Sequence, residues 1–128
     1  MFTVKNLSKR TSPRIPFKKI KEHILGKRYS LSIVLCGDTL IQKLNTTYRK
    51  KNTPTNVLSF PLEKNEGELF LNLAYIKKES DKLRQNMNRH TAYLFIHGLL
   101  HLKGYAHSST MKKEEEKLLR YFGYQTEK

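Results

Sequence analysis

The chain is poor in cysteine, which occurs once, in tryptophan, which is absent, and in acidic side chains. Each shortage excludes something. The single cysteine, Cys36, cannot close an internal disulfide, so a hydrophobic core has to hold the fold. It ends the apolar run Leu31 to Cys36 and reads as a buried thiol suited to a reducing compartment. Long apolar runs are missing too. The longest, Ala92 to Leu102, contains two histidines and falls short of the ~20 residues needed to cross a bilayer. Met1 to Arg10 lacks the apolar block of a signal peptide. Both features lead us to expect a cytoplasmic protein without a membrane partner. Only 11 Asp and Glu stand against 25 Lys and Arg, a net charge of +14 on 128 residues. That excess implies an anionic partner, of which nucleic acid is the commonest. Charge alone does not choose between RNA, DNA and an acidic membrane.

What remains is an ordinary globular composition. The length suits one domain, 1–128, large enough to enclose its own core. No repeat, low-complexity segment or linker divides it, and nothing in it specifies an oligomeric state. Phe2 to Leu7 alternates weakly and predicts an edge strand. Pro16 opens a helix over Phe17 to Leu25, stopped by Gly26. Leu31 to Cys36 predicts a central strand, and Asp38 is expected to cap the helix that follows. Arg49 to Thr55 reads as a basic loop. Val57 to Phe60, stopped by Pro61, and Glu68 to Leu71 predict a hairpin. The rest is helical: Tyr75 to Leu83, Asn88 to Leu102 ended by Gly104, and Met111 to Phe122 behind capping residues Ser108, Ser109 and Thr110. Strands followed by helices make the class α+β, a small four-stranded mixed sheet packed with about five helices.

The chemistry concentrates in His97-Gly98-Leu99-Leu100-His101-Leu102-Lys103-Gly104-Tyr105-Ala106-His107. His97 and His101 are one helical turn apart, so their imidazoles stack on one face and reach the same point. Gly104 lets the chain leave the helix and bring His107 back to that point. Three neutral imidazoles with one open position form a catalytic zinc-type site, one ion per chain, rather than a closed structural one. The pattern differs from the protease signature H-E-x-x-H, because Gly98 stands where the general-base glutamate would be. Gly98 has two readings: room for a bulky substrate, or close packing of the helix. His90 is either a neighbour of the site or a surface or core histidine with no catalytic duty, and the second reading is favoured.

A second segment, Leu44 to Pro61, is a helix end, a basic loop and a strand. Arg49 has the fork geometry to grip a phosphate, and Lys50 and Lys51 add positive field. Taken alone, it reads as a solvated turn. The two segments together resemble the bacterial YbeY family of metal-dependent endoribonucleases, also called rRNA maturation factors. The likeness rests on the histidine motif and on Leu44-Asn45, Tyr48-Arg49, Lys51 and the run Pro54-Thr55-Asn56-Val57-Leu58-Ser59-Phe60-Pro61, with Gly67 to Leu71 as the family's following strand.

The resemblance implies a compact α+β fold with helices arranged as in zinc proteases. It implies that His97, His101 and His107 bind zinc and that Arg49 is the key basic residue of the cleft. It also implies cleavage of single-stranded RNA, trimming of the 3′ end of small-subunit ribosomal RNA, and a part in ribosome quality control. Lys50, Lys51, Ser59 and Tyr105 complete the expected substrate-binding set, and Tyr48 and Tyr105 can stack on unpaired bases. One position departs from the family. The aspartate that usually precedes the third histidine is Ala106 here, so an orienting carboxylate has to come from elsewhere, Glu68 or Glu63, or the site is weaker. Two other classes compete with this reading: a zinc hydrolase of peptides or small molecules, and a non-catalytic RNA-binding assembly factor with a structural metal.

Overall fold

The structure, a computed structural model, describes residues 1–124; residues 125–128, the end of the expected domain, lie outside it. Among the described residues, four strands and five helices follow in the order β1 (Phe2–Asn6), α1 (Phe17–Leu25), β2 (Ser30–Cys36), α2 (Asp38–Arg49), β3 (Val57–Glu63), β4 (Glu66–Asn72), α3 (Leu73–Leu83), α4 (Met87–Lys103) and α5 (Ser109–Tyr121). The sheet order is β1-β2-β4-β3. β1 and β4 flank β2 in parallel, and β3 pairs antiparallel with β4 at the far edge. The fold is α+β with a mixed sheet, as expected.

The position of β2 explains its composition. Alternate side chains of a strand face opposite sides. Ile33 and Leu35 enter the main core with Leu69 and Leu71 of β4, covered by α1, α3, α4 and α5. Val34 and Cys36 enter a smaller core with Leu58 and Phe70, closed by Ile41 of α2. A strand buried on both faces reads as a continuous apolar run. Cys36 is therefore a buried thiol, pushed up to about 11 first by burial and then by the negative charge of Asp38.

Helix α4 is apolar around most of its circumference because it is the centre of the molecule. Ala92, Leu94, Phe95, Ile96, Leu99 and Leu100 are all buried. Gly98 settles its two readings in favour of packing. A Cβ there would lie 2.6 Å from Leu69 Cδ1 and 2.9 Å from Ser59 Oγ, so its absence lets α4 sit directly on β3 and β4.

Several expected bounds move: Arg49 ends α2 rather than opening the loop, and β4 and α3 each begin two residues earlier than expected. β3 does not stop at Pro61 but runs to Glu63, with Pro61 opposite Gly67. A proline is tolerated there because β3 is an edge strand, where an N–H facing away from the ladder is dispensable. Asp38 is not the cap of α2; Gly37 holds that position. The Asp38 carboxylate instead accepts a 2.7 Å bond from Asn72 Nδ2, and Asn72 Oδ1 caps α3 by accepting from Tyr75 N. The fully buried Asn72 thereby ties the start of α2 to the start of α3.

Candidate metal centre and cleft

α4 presents His97 and His101 one turn apart, and the geometry of their rings is fixed from behind. The Nδ1 of His97 is hydrogen-bonded to Glu115 Oε2 of α5. The Nδ1 of His101 lies 3.1 Å from the carbonyl of Tyr105. An imidazole that donates through one nitrogen offers a lone pair at the other. Both Nε2 atoms consequently face each other, 3.1 Å apart. Two nitrogens held at 2.0–2.1 Å by one tetrahedral zinc stand about 3.3–3.4 Å apart, close to this spacing.

The third ring arrives as the glycine stop predicts. Gly104 adopts φ 113, and its N–H and that of Tyr105 bond back to the last turn of α4. His107 returns to within 5.1 and 4.5 Å of the other two rings, centroid to centroid. One ligand atom from each of the three histidines lies within 4.8 Å of the others. Among the described residues no other group of three His, Cys, Asp or Glu side chains converges in this way. His101 is held below its ordinary pKa, first by burial and then by the neighbouring rings of His97 and His107. The neutral form so favoured is the one that ligates a metal.

The histidines line a cleft of about 550 Å³ together with Arg49, Thr55, Asn56, Val57 and Ser59. Arg49 reaches it from the last residue of α2. Lys50 then adopts the left-handed conformation, φ 56, and turns the chain. The loop that follows is tied back to α2 by Asn45, whose Nδ2 donates to Thr53 O at 2.8 Å. The exposed side chain of Arg49 makes no hydrogen bond or ion pair with any described residue, so its guanidinium is free to meet an anion. A cleft of similar volume between Leu7–Arg10 and the start of α2 is lined mainly by apolar surface and holds no such histidine group.

Not every expected residue is at the cleft. Arg49 and Ser59 line it, and Ser59 Oγ donates to Gly98 O at 3.1 Å. Lys50 and Lys51 are exposed but lie outside its lining. The ring of Tyr105 packs against the core, and it is its carbonyl that serves the site, through His101. The orienting carboxylate is neither Glu68 nor Glu63. Glu68 shares the β4 face of Phe70, on the side of the sheet opposite α4, and Glu63 is exposed at the hairpin. Glu115 fills that place, 3% exposed. The signal was present in the sequence: Met111, Leu118 and Leu119 stand at −4, +3 and +4 from it, so this glutamate sits in an apolar stripe. His90 is a core histidine, 5% exposed, with Nε2 3.0 Å from Glu79 Oε1.

A mixed four-stranded sheet backing a central helix, with three histidines converging at the end of that helix, defines a class of α+β protein with a metal-type histidine centre. The solution structure of TM1509 from Thermotoga maritima has the same fold, with a TM-score of 0.67 over 92% of this chain and 87% of that one at 24% identity. Within the class the assignment is specific: residues 4–123 match the family described as Endoribonuclease YbeY, and the chain belongs to that family. It is 47% identical over 96 residues to the Endoribonuclease YbeY of Ehrlichia ruminantium strain Gardel, covering 71% of this chain and 57% of the relative. The Buchnera aphidicola protein of the same name is 36% identical over 132 residues, covering 91% of this chain and 85% of that one. The chain thus spans little more than half the length of the Ehrlichia relative.

Proposed function

We propose that this chain, acting as one domain, is a metal-dependent endoribonuclease that cuts single-stranded RNA with one zinc ion held by His97, His101 and His107. We place its substrate in ribosomal RNA, at the 3′ end of the small-subunit species, with a part in ribosome quality control in the cytoplasm. One observation carries the reading. Arg49 and the three convergent imidazoles line the same cleft.

Each residue has a task that follows from its place. The three histidines supply ring nitrogens, and Glu115 and the Tyr105 carbonyl fix which nitrogen of His97 and His101 faces the cleft. When bound there, a zinc ion would supply Lewis acidity toward a phosphoryl oxygen and an attacking hydroxyl, whether from water or a ribose. Arg49, with no protein partner, receives the phosphate and stabilises the extra negative charge of the transition state. The surplus of basic side chains holds the rest of the strand through its phosphates without reading its sequence. A peptidase reading is weaker, because Gly98 occupies the position of the general-base glutamate and Glu115 is engaged behind His97.

The test separates catalysis from adhesion. His101→Ala should abolish stoichiometric zinc, measured by elemental analysis. Arg49→Ala should keep its zinc and most of its RNA affinity, yet lose on the order of a hundredfold or more in single-turnover cleavage. Lys50→Ala should stay active. An Arg49→Ala protein that cleaves bound RNA at the wild-type rate would refute the assignment.

A further inference from the structure

Three polar side chains lead from the cleft wall into the core. Asn56 lines the cleft beside Arg49 and the histidines. Its Nδ2 donates to Glu79 Oε1 of α3 at 3.0 Å. The same carboxylate oxygen lies 3.0 Å from His90 Nε2 of α4. The backbone of Asn56 is held as well, its carbonyl accepting a 2.9 Å bond from Asn72 N. Three separate segments thus meet at one carboxylate oxygen.

Such a network is an expensive way to fill space. His90 is buried, and its Nδ1 has no hydrogen-bond partner among the described residues. An apolar contact of the same volume would leave no such orphan. What the network provides is an amide with a fixed orientation. A carboxylate only accepts hydrogen bonds, so the edge of Asn56 that faces Glu79 is its NH2 edge. The amide is planar, so Oδ1 is turned the other way. Oδ1 receives no hydrogen bond from any described residue. Asn56 therefore brings to the wall that holds Arg49 an oriented acceptor without a partner among the described residues.

An acceptor needs a donor; the bases carry donors in both nucleic acids, so only a donor on the backbone distinguishes the two. The phosphates and sugar ring oxygens of a strand only accept. A DNA backbone has no donor within the strand, whereas RNA adds one per nucleotide, the 2′-hydroxyl. Building on the RNA reading above, we infer that Asn56 is a specificity-determining residue. Its Oδ1 accepts from the 2′-hydroxyl of a ribose beside the phosphate at Arg49, and Glu79, backed by His90, is the positioning residue that aims it.

The test compares a single-stranded RNA with its fully 2′-fluoro counterpart, which retains the charge and bases but cannot donate at that position. Zinc-free protein keeps the strands intact during binding titrations. Wild type should prefer the RNA by about three- to tenfold, the range for one hydrogen bond. Asn56→Ala, which leaves the backbone bond to Asn72 in place, should bind both strands equally. Glu79→Ala should lose most of the preference while still melting cooperatively. Glu79→Gln, whose amide donates as well as accepts and so no longer fixes which edge of Asn56 faces it, should also weaken the preference. A preference unchanged in Asn56→Ala, or a wild type that cleaves RNA when zinc-loaded but binds the two strands equally, overturns this inference alone. A folded Glu79→Ala with the full preference removes the positioning role. A wild type that neither binds nor cleaves RNA removes the function proposed above together with this inference.

Discussion

Replacing Glu115 measures how far a buried carboxylate behind a ligand sets the strength of the centre in front of it. The side chain is 3% exposed and hydrogen-bonded to His97 Nδ1, so its charge is little screened by solvent. With the carboxylate in place, the proton of the His97 ring is held on Nδ1 and the lone pair of Nε2 points toward His101. Removing such a partner costs 10- to 100-fold in metal affinity, or about 1.4–2.7 kcal/mol. The two ends of that range correspond to two variants. Glu115→Gln keeps a carbonyl oxygen of the same shape that still accepts from Nδ1–H, and loses only the charge, so we expect about a tenfold weakening. Glu115→Ala removes the acceptor and leaves Nδ1 unpartnered, so we expect about a hundredfold. The assay is competition for zinc against a chromophoric chelator at fixed pH, starting from metal-free protein, with His101→Ala as the zero point. Thermal melts of the metal-free proteins check that the fold persists. The same zinc affinity in wild type, Glu115→Gln and Glu115→Ala would refute the reasoning, because it would show that His97 needs no help to present Nε2.

Two further outcomes follow from packing. Gly98→Ala would ordinarily gain about 1 kcal/mol of helix propensity. Here the new Cβ lies 2.6 Å from the fully buried Leu69, so overpacking of about 1–3 kcal/mol should outweigh that gain and lower the urea midpoint; an unchanged or higher midpoint would contradict the contact. Cys36, buried and with its thiol pushed up to about 11, should be inert to a disulfide reagent at pH 8 in the native protein and react fully in guanidinium. Rapid reaction in the native state would contradict the burial of that strand end.

Local signals in the sequence located the elements well wherever one period and one stop coincided. The helix carrying His97 and His101 ends at Gly104 because only a positive φ lets the chain turn there, and the same turn delivers His107. The hairpin was legible from its turn-rich link. Less legible was anything that depends on which face of the sheet a residue takes. Glu68 and Glu115 both stand near apolar residues, and only the register of β4 shows that the first faces away from α4. The long-range polar contacts were invisible for the same reason. Asp38 looks like a helix cap in sequence, but its partner, Asn72, is brought to it by the parallel pairing of β2 with β4. His90 and Glu79 lie on different helices, and no spacing rule couples them.

The link between the third histidine and the last helix is a single residue. Ser108 follows His107 directly and caps α5 by accepting from Met111 N at 3.1 Å. The helix so started also carries Glu115. α5 is therefore held to α4 through the ring of His97 as well as through the core, and an ion shared by the three histidines would add a link just ahead of the helix. A bound ion acts as a rivet between the last helix and the body of the protein, and stabilises the closed form by mass action. We expect amide exchange in α5 to slow when metal is added to the metal-free protein; equal exchange with and without metal would contradict this coupling.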